Sequence, residues 1–316
     1  MSQATTGGGG LAGHPLAARQ ARLMRLATVA SVSVASVLIA AKLVAWFMTD
    51  SVSLLSSLVD SLMDVAASLV NLVAVRHALQ PPDREHRFGH GKAEPLAGLG
   101  QAAFIAGSAV FLIVESIDRL IAPAPVVAGT VGIAVMAVSI ALSVALVAFQ
   151  NFVVRRTGST AIDADALHYR SDILVNGAVI VAIALSANLG WSWADPVFAL
   201  VIAGYILYGS YQIARRSLDL LMDREFSDDD RARIRQIVLD HPEARSMHDL
   251  RTRSSGVQPF VQFHLELDAN LTLLRAHEIA DAIEARVKQA FPGAEVIIHQ
   301  DPEGYEPPPL LLPSGR

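Results

Sequence analysis

"LVDSLMDVAASLVNLVAV", residues 58–75, decides how this chain folds. The run is almost wholly apolar or small, and a membrane helix needs about 20 mostly apolar residues. Yet it carries two aspartates, Asp60 and Asp64, one helical turn apart. An ionised carboxylate in hydrocarbon is costly, so such a residue marks a function once its partner is named.

The whole chain supports a membrane reading. Of 316 residues, 52% are hydrophobic and only 17% charged, too apolar for an ordinary soluble domain. A net charge of −5 is mild and gives no hint of nucleic-acid binding. There is no cysteine, which excludes disulfides and thiolate ligands, so any metal must be held by His, Asp, Glu or carbonyl oxygen. The ten histidines become the residues to follow.

Six candidate spans fall near residues 23–48, 52–78, 95–121, 125–154, 163–188 and 193–214. The first apolar run is longer than a signal-peptide core and reads as a membrane anchor. In the fifth, the purely apolar part runs only from Ile173 to Ala187. To cross, this helix must start near residue 165 and draw His168 and Asp172 into the membrane. Arg19, Arg22 and Arg25 precede span 1, and Arg76, Arg84, Arg87 and Lys92 separate spans 2 and 3. Arg155 and Arg156 follow span 4, and Arg215 and Arg216 follow span 6. The alternate loops near 49–52, 122–125 and 188–193 hold no Lys or Arg, so the positive-inside rule places both termini in the cytoplasm.

After Asp223 the composition changes. "FSDDDRARIRQIVLDHPEA" carries a helix-start signal, and "LLRAHEIADAIEARVKQAF" is amphipathic at helical spacing. "SMHDLRTR", "VQPFVQFHLELD" and "AEVIIHQD" read as strands; in the second, His264 and Glu266 alternate with Phe263, Leu265 and Leu267. The order is αββαβ, a small metallochaperone-like α+β domain that metal or dimerisation would support. The expected layout is an unstructured segment 1–22, a transmembrane domain 23–218, a small cytoplasmic domain 219–302, and an unstructured tail 303–316; that the cytoplasmic domain binds metal and dimerises is what the family resemblance described below implies.

His168 and Asp172 repeat the four-residue spacing of Asp60 and Asp64, so each pair shares one helix face. By helix rise, the first pair lies about 12–20 Å from the outer end of span 2 and the second about 8–14 Å from the inner end of span 5. The pairs can meet near mid-membrane, and three carboxylates with one imidazole make a tetrahedral set suited to zinc. Arg170 sits about 200° around the helix from His168 and is expected to turn elsewhere.

Four stretches, "SLLSSLVDSLMDVAASLVN", "HRFGHGKAEPLA", "ADALHYRSDILVNGAV" and "VIIHQDP", closely resemble the cation diffusion facilitator family, in particular its bacterial ferrous-iron and zinc efflux branch. The resemblance implies a homodimer in the bacterial inner membrane that exports zinc, or a similar divalent ion, in exchange for protons. Its transport site would be Asp60, Asp64, His168 and Asp172, the four that spacing selects. It further implies a loop metal site at Asp83, His86 and His90. A binuclear cytoplasmic site would use His248, His264, His277, His299 and Asp301. An interface salt bridge would join Lys92 and Asp223. Family members with His in the first pair are the more zinc-restricted; Asp60 stands there in this chain, which leaves cadmium, ferrous iron, cobalt and manganese beside zinc. The alternatives are a membrane-anchored metal sensor or scaffold, which would bind without flux, and an intramembrane metal-dependent phosphotransferase, whose DG…AR signature is missing.

Overall fold

The computed structural model describes residues 15–49, 52–122, 130–189, 191, 193–256 and 258–304; within these, the side chains of residues 15–17, 49, 52–57, 59, 60, 130 and 186–189 lie outside the description. The chain divides into two units, Met1–Met222 and Asp223–Arg316.

Six long helices make the described part of the first unit: α1 Pro15–Thr49, α2 Val52–Ala78, α3 Ala93–Ile121, α4 Thr130–Thr157, α5 Thr160–Leu189 and α6 Ala194–Leu221. All except α2 are, over their described residues, long and apolar enough to cross a membrane. Several side chains at the start of α2 lie outside the description, but its 27 residues match the others in length. Large apolar side chains such as Phe47, Phe111 and Val201 point outward, as they would toward lipid.

Small residues let the helices close on one another, which is how membrane helices associate without a hydrophobic driving force. The most extensive packing joins α3 to α6, through Ala102, Ile105 and Ala109 on one side and Ile206 and Ile213 on the other, with Ala164 and Leu167 of α5 wedged in. A methyl group added at Gly209 would meet the Leu167 side chain at 2.9 Å.

The α4–α5 junction sets the depth of α5. Gly158 takes a left-handed φ of 69°, natural for a residue without Cβ, and ends α4. The Ser159 hydroxyl then accepts the Ile162 N–H at 3.2 Å and starts α5. The buried Glu94 carboxylate accepts from the Thr160 and Ala161 backbone and from Ser159. A carboxylate at a helix N-terminus is favoured by the dipole and the free N–H groups. Helix α5 therefore starts at Thr160, earlier than its hydropathy suggests, and His168 lies about 12 Å inside it by helix rise.

The second unit holds α7 Asp228–Leu239, β1 Ser246–Ser255, β2 Gln258–Leu267, α8 Leu273–Ala290 and β3 Glu295–Pro302, the order read from the sequence. Ser227 caps α7 and Thr272 caps α8. The sheet order is β1-β2-β3, with β1 antiparallel and β3 parallel to β2, so α8 is the crossover. Ile234 and Val238 of α7 and Ile279, Ile283 and Val287 of α8 pack on Val261, Phe263 and Leu265, giving this unit its own core. Alternation then forces His264 and Glu266 to the opposite face.

Candidate metal sites

Among the described residues, three groups of His and carboxylate side chains bring their ligand atoms within 4.8 Å of one another. The first lies inside the helical unit. His168 Nε2 is 3.0 Å from Asp64 Oδ1 on α2 and 3.7 Å from Asp172 Oδ2, one turn along α5. Asp60 lies on α2 one turn before Asp64, and its side chain is outside the described residues. The group borders a cavity of about 700 Å³ whose polar lining includes Ser61, Ser139, Ser143 and Asn176.

Neighbouring contacts hold α2 and α5 in register. The Tyr169 hydroxyl donates to the Ser31 carbonyl at 3.3 Å and lies 3.3 Å from the Ser68 hydroxyl. Asn71 Nδ2 donates to the Ala161 carbonyl at 3.3 Å. Asp165, fully buried, accepts from the Gln101 amide at 3.1 Å and the Gln150 amide at 2.6 Å. Arg170 turns away from the group, as its helical phase requires, and pairs with Asn151 and Asp163.

Sequence reasoning passed over Lys42. It lines the same cavity and donates to the buried Ser61 hydroxyl at 2.6 Å. A single lysine seven residues before the end of α1 was visible in the sequence and, as an intramembrane charge, is a functional candidate.

The second group sits in the loop after α2. Asp83 Oδ1 accepts the backbone N–H groups of Glu85 at 2.9 Å and His86 at 2.6 Å. The His86 bond holds this carboxyl below the usual range; desolvation opposes it, and the Glu85 bond and the His90 and His86 rings act with it. His86 Nδ1 lies 3.4 Å from Oδ1, and His90 Nε2 lies 3.2 Å from Oδ2. Lys92, at the end of this loop, donates to the Leu221 carbonyl at 3.3 Å.

The third group is on the open face of the sheet. Strand register sets His248, His264 and His299 in one row, and Glu266 opposite Asp301 in the next. The buried Asp301 carboxylate is the hub: Oδ2 lies 2.8 Å from His264 Nδ1 and 3.4 Å from His248 Nε2, and Oδ1 lies 3.2 Å from His299 Nε2. His277 is exposed on α8 and pairs instead with Asp281 at 3.6 Å. Two nearby carboxylates were missed: Glu266, 3.2 Å from His248 Nδ1, and Asp249, 3.9 Å from His264 Nε2. Glu266 was detectable two residues from His264 on the same strand face. Asp249 was not, because it depends on the bulge between His248 and Arg251, where its φ is 45°.

Residues 28–222 match the family model described as the cation efflux transmembrane domain, and residues 226–303 match that of the cation efflux protein, cytoplasmic domain. The chain belongs to the cation diffusion facilitator family. This cation efflux protein is 49% identical over 286 residues to the cation-efflux pump FieF of Klebsiella pneumoniae, covering 90% of this chain and 95% of that one. It is also 49% identical over 284 residues to FieF of Shewanella oneidensis, covering 90% and 96%. A solved structure of CzrB in its Zn form is 33% identical with a TM-score of 0.26, covering 27% of this chain and 99% of that one. The cation efflux protein is thus a multi-pass membrane transporter of metal cations rather than an enzyme.

Proposed function

We propose that this cation efflux protein exports divalent transition metal, zinc foremost and ferrous iron, cadmium, cobalt or manganese as further cargo, from the cytoplasm across the bacterial inner membrane by proton antiport. Both termini would be cytoplasmic and the working unit a homodimer. Metal would bind tetrahedrally to Asp60, Asp64, His168 and Asp172 and cross by alternating access between two sides of that site. The observation that carries this reading is the convergence of Asp64, from α2, with His168 and Asp172, from α5, beside one polar cavity. Oxygen and imidazole ligands on facing helices suit zinc-class ions.

Charge counting supports a two-proton exchange. Three ionised carboxylates and the Lys42 ammonium leave the empty site two charges negative while His168 is neutral. One divalent ion cancels that charge, and so do two protons. Both loaded forms would then cross at the same buried charge, while the bare form would be held back by desolvation. The loop residues Asp83, His86 and His90 would bind a second metal. His248, His264, His277, His299 and Asp301 would form a binuclear site in the cytoplasmic domain, with His277 turning from Asp281 to join it. Lys92 and Asp223 would pair at the dimer interface, with 23–218 and 219–302 as the working domains; helix α1 already begins at Pro15, ahead of the first of these.

The test is zinc-driven proton flux in proteoliposomes. The reading expects about two protons released per zinc taken up, and loss of both fluxes together in Asp172→Ala. Zinc uptake without proton movement would reject antiport; zinc binding without uptake would leave a sensor.

A further inference from the structure

We propose that His77 is a fourth ligand of the loop metal site, completing Asp83, His86 and His90 into a closed tetrahedral zinc site. The inference builds on the loop site proposed above. His77 is in the last turn of α2, where its carbonyl accepts the Gln80 N–H at 3.0 Å as the chain turns back. Its ring centroid lies 4.5 Å from that of His90, and the His86 ring lies 4.6 Å from His90 on its own account. The His77 and His86 rings therefore both flank His90, and His86 and His90 both reach Asp83. The His77 nitrogens stand outside the compact group of three, and rotation of this exposed helix-end side chain would bring one in.

A second observation points to a ligand. The His90 side chain is 4% exposed, with Nε2 directed at Asp83. Its other ring nitrogen, Nδ1, is buried with no hydrogen-bond partner among the described residues. A buried polar atom left unpaired is costly, and histidines that hold metal through one nitrogen commonly satisfy the other with a partner or water. No described protein group fixes the tautomer of this ring through Nδ1, which leaves Nε2, beside Asp83, open to serve as the ligating nitrogen.

The fourth ligand changes what the site can do. Three protein ligands leave a coordination position open, so an ion can be passed on; four close the shell, and the ion stays. A closed set of three imidazoles and one carboxylate fits zinc and would clamp the loop before α3 to the end of α2, the helix that carries Asp64. The loop site then acts as a holding site that senses zinc rather than as a stop on the transport route.

The test uses the purified full-length protein, titrated with zinc against a competing chelator and, separately, loaded with cobalt. His90→Ala identifies the loop zinc as the ion it loses. His77→Ala and His77→Gln are expected to weaken that ion by about tenfold or more, since even loss of a supporting residue costs a metal site this much. Because the natural chain has no cysteine, His77→Cys gives a direct readout. Loaded with cobalt it should show a thiolate-to-cobalt charge-transfer band, which should vanish when His90→Ala is added. Parent zinc affinity in both His77→Ala and His77→Gln, with no thiolate band in His77→Cys, would overturn the fourth ligand while sparing the three-residue site. No zinc lost in His90→Ala would overturn the loop site itself, and the fourth ligand with it.

Discussion

Asp64→Asn tests the transport site with little change in shape. The amide keeps the volume of the carboxylate, and its oxygen can still accept from His168 Nε2, 3.0 Å away, so the contact between α2 and α5 should survive. What disappears is one negative charge and the anionic ligand. Removing one partner from a fully buried charged set costs about 3–5 kcal/mol. The Asp64 side chain is 23% exposed and His168 12%, so the lower end applies, about 3 kcal/mol. At about 1.4 kcal/mol per factor of ten, zinc affinity should fall by about a hundredfold. The assay is initial zinc uptake into proteoliposomes over a range of zinc concentrations, with size-exclusion chromatography to verify the assembly. The apparent KM should rise by about that factor while the protein elutes as the parent does. An intact protein that takes up zinc within about twofold of the parent rate at low zinc, where the calculation requires about a hundredfold loss, would refute the reasoning.

Lys42→Met should tighten zinc binding, because it removes a like charge from the lining of the same cavity, and slow turnover, because the loaded site then crosses with a net negative charge. An unchanged dissociation constant by calorimetry would remove Lys42 from the charge count. In the isolated 223–304 domain, zinc at about a hundredfold excess over Kd should add about 2.7 kcal/mol of stability, read as a rise in Tm. Asp301→Ala should abolish that rise, because three histidines converge on this one carboxylate. At the loop, Asp83 is held below the usual carboxyl range, so its contribution to loop stability is present above the ordinary aspartate value and is lost as pH falls through its lower folded value. Acid release of the loop zinc should therefore follow imidazole protonation. Asp83→Asn should weaken zinc by a similar factor at every pH above the aspartate range; a loss confined to the most acid points would contradict this.

Much of this protein was legible in one dimension because its solvent imposes a strong rule. A chain crossing lipid must satisfy its backbone within helices, so long apolar runs broken by short polar loops announce the bundle. Charges inside those runs are conspicuous because lipid makes them costly. That is why four-residue spacing selected Asp60 and Asp64 and then His168 and Asp172, and why Lys42 could have been read in the same way. In the second unit, alternation put His264 and Glu266 on the face away from Phe263, and the FSDDD stretch, whose Ser227 caps α7, marked one helix start.

Distance and register belong to the tertiary structure. Periodicity shows which face a residue occupies, not which residue of another element stands opposite. The row His248, His264 and His299 follows from strand pairing, and the bulge that brings Asp249 toward His264 is a backbone event with no compositional signature. The start of α5 was misjudged by several residues. Hydropathy sees side chains, whereas that helix begins where Gly158 turns the backbone and Glu94, from α3, supplies acceptors to its first N–H groups. His77 stayed hidden for a similar reason. In sequence it is one more polar residue at a helix end, and only the return of the loop lays its ring beside the buried, half-satisfied ring of His90. The sequence alone determined which residues could not be left alone in lipid or in a core; the fold decided which of them meet, because contacts between elements depend on packing that no single element encodes.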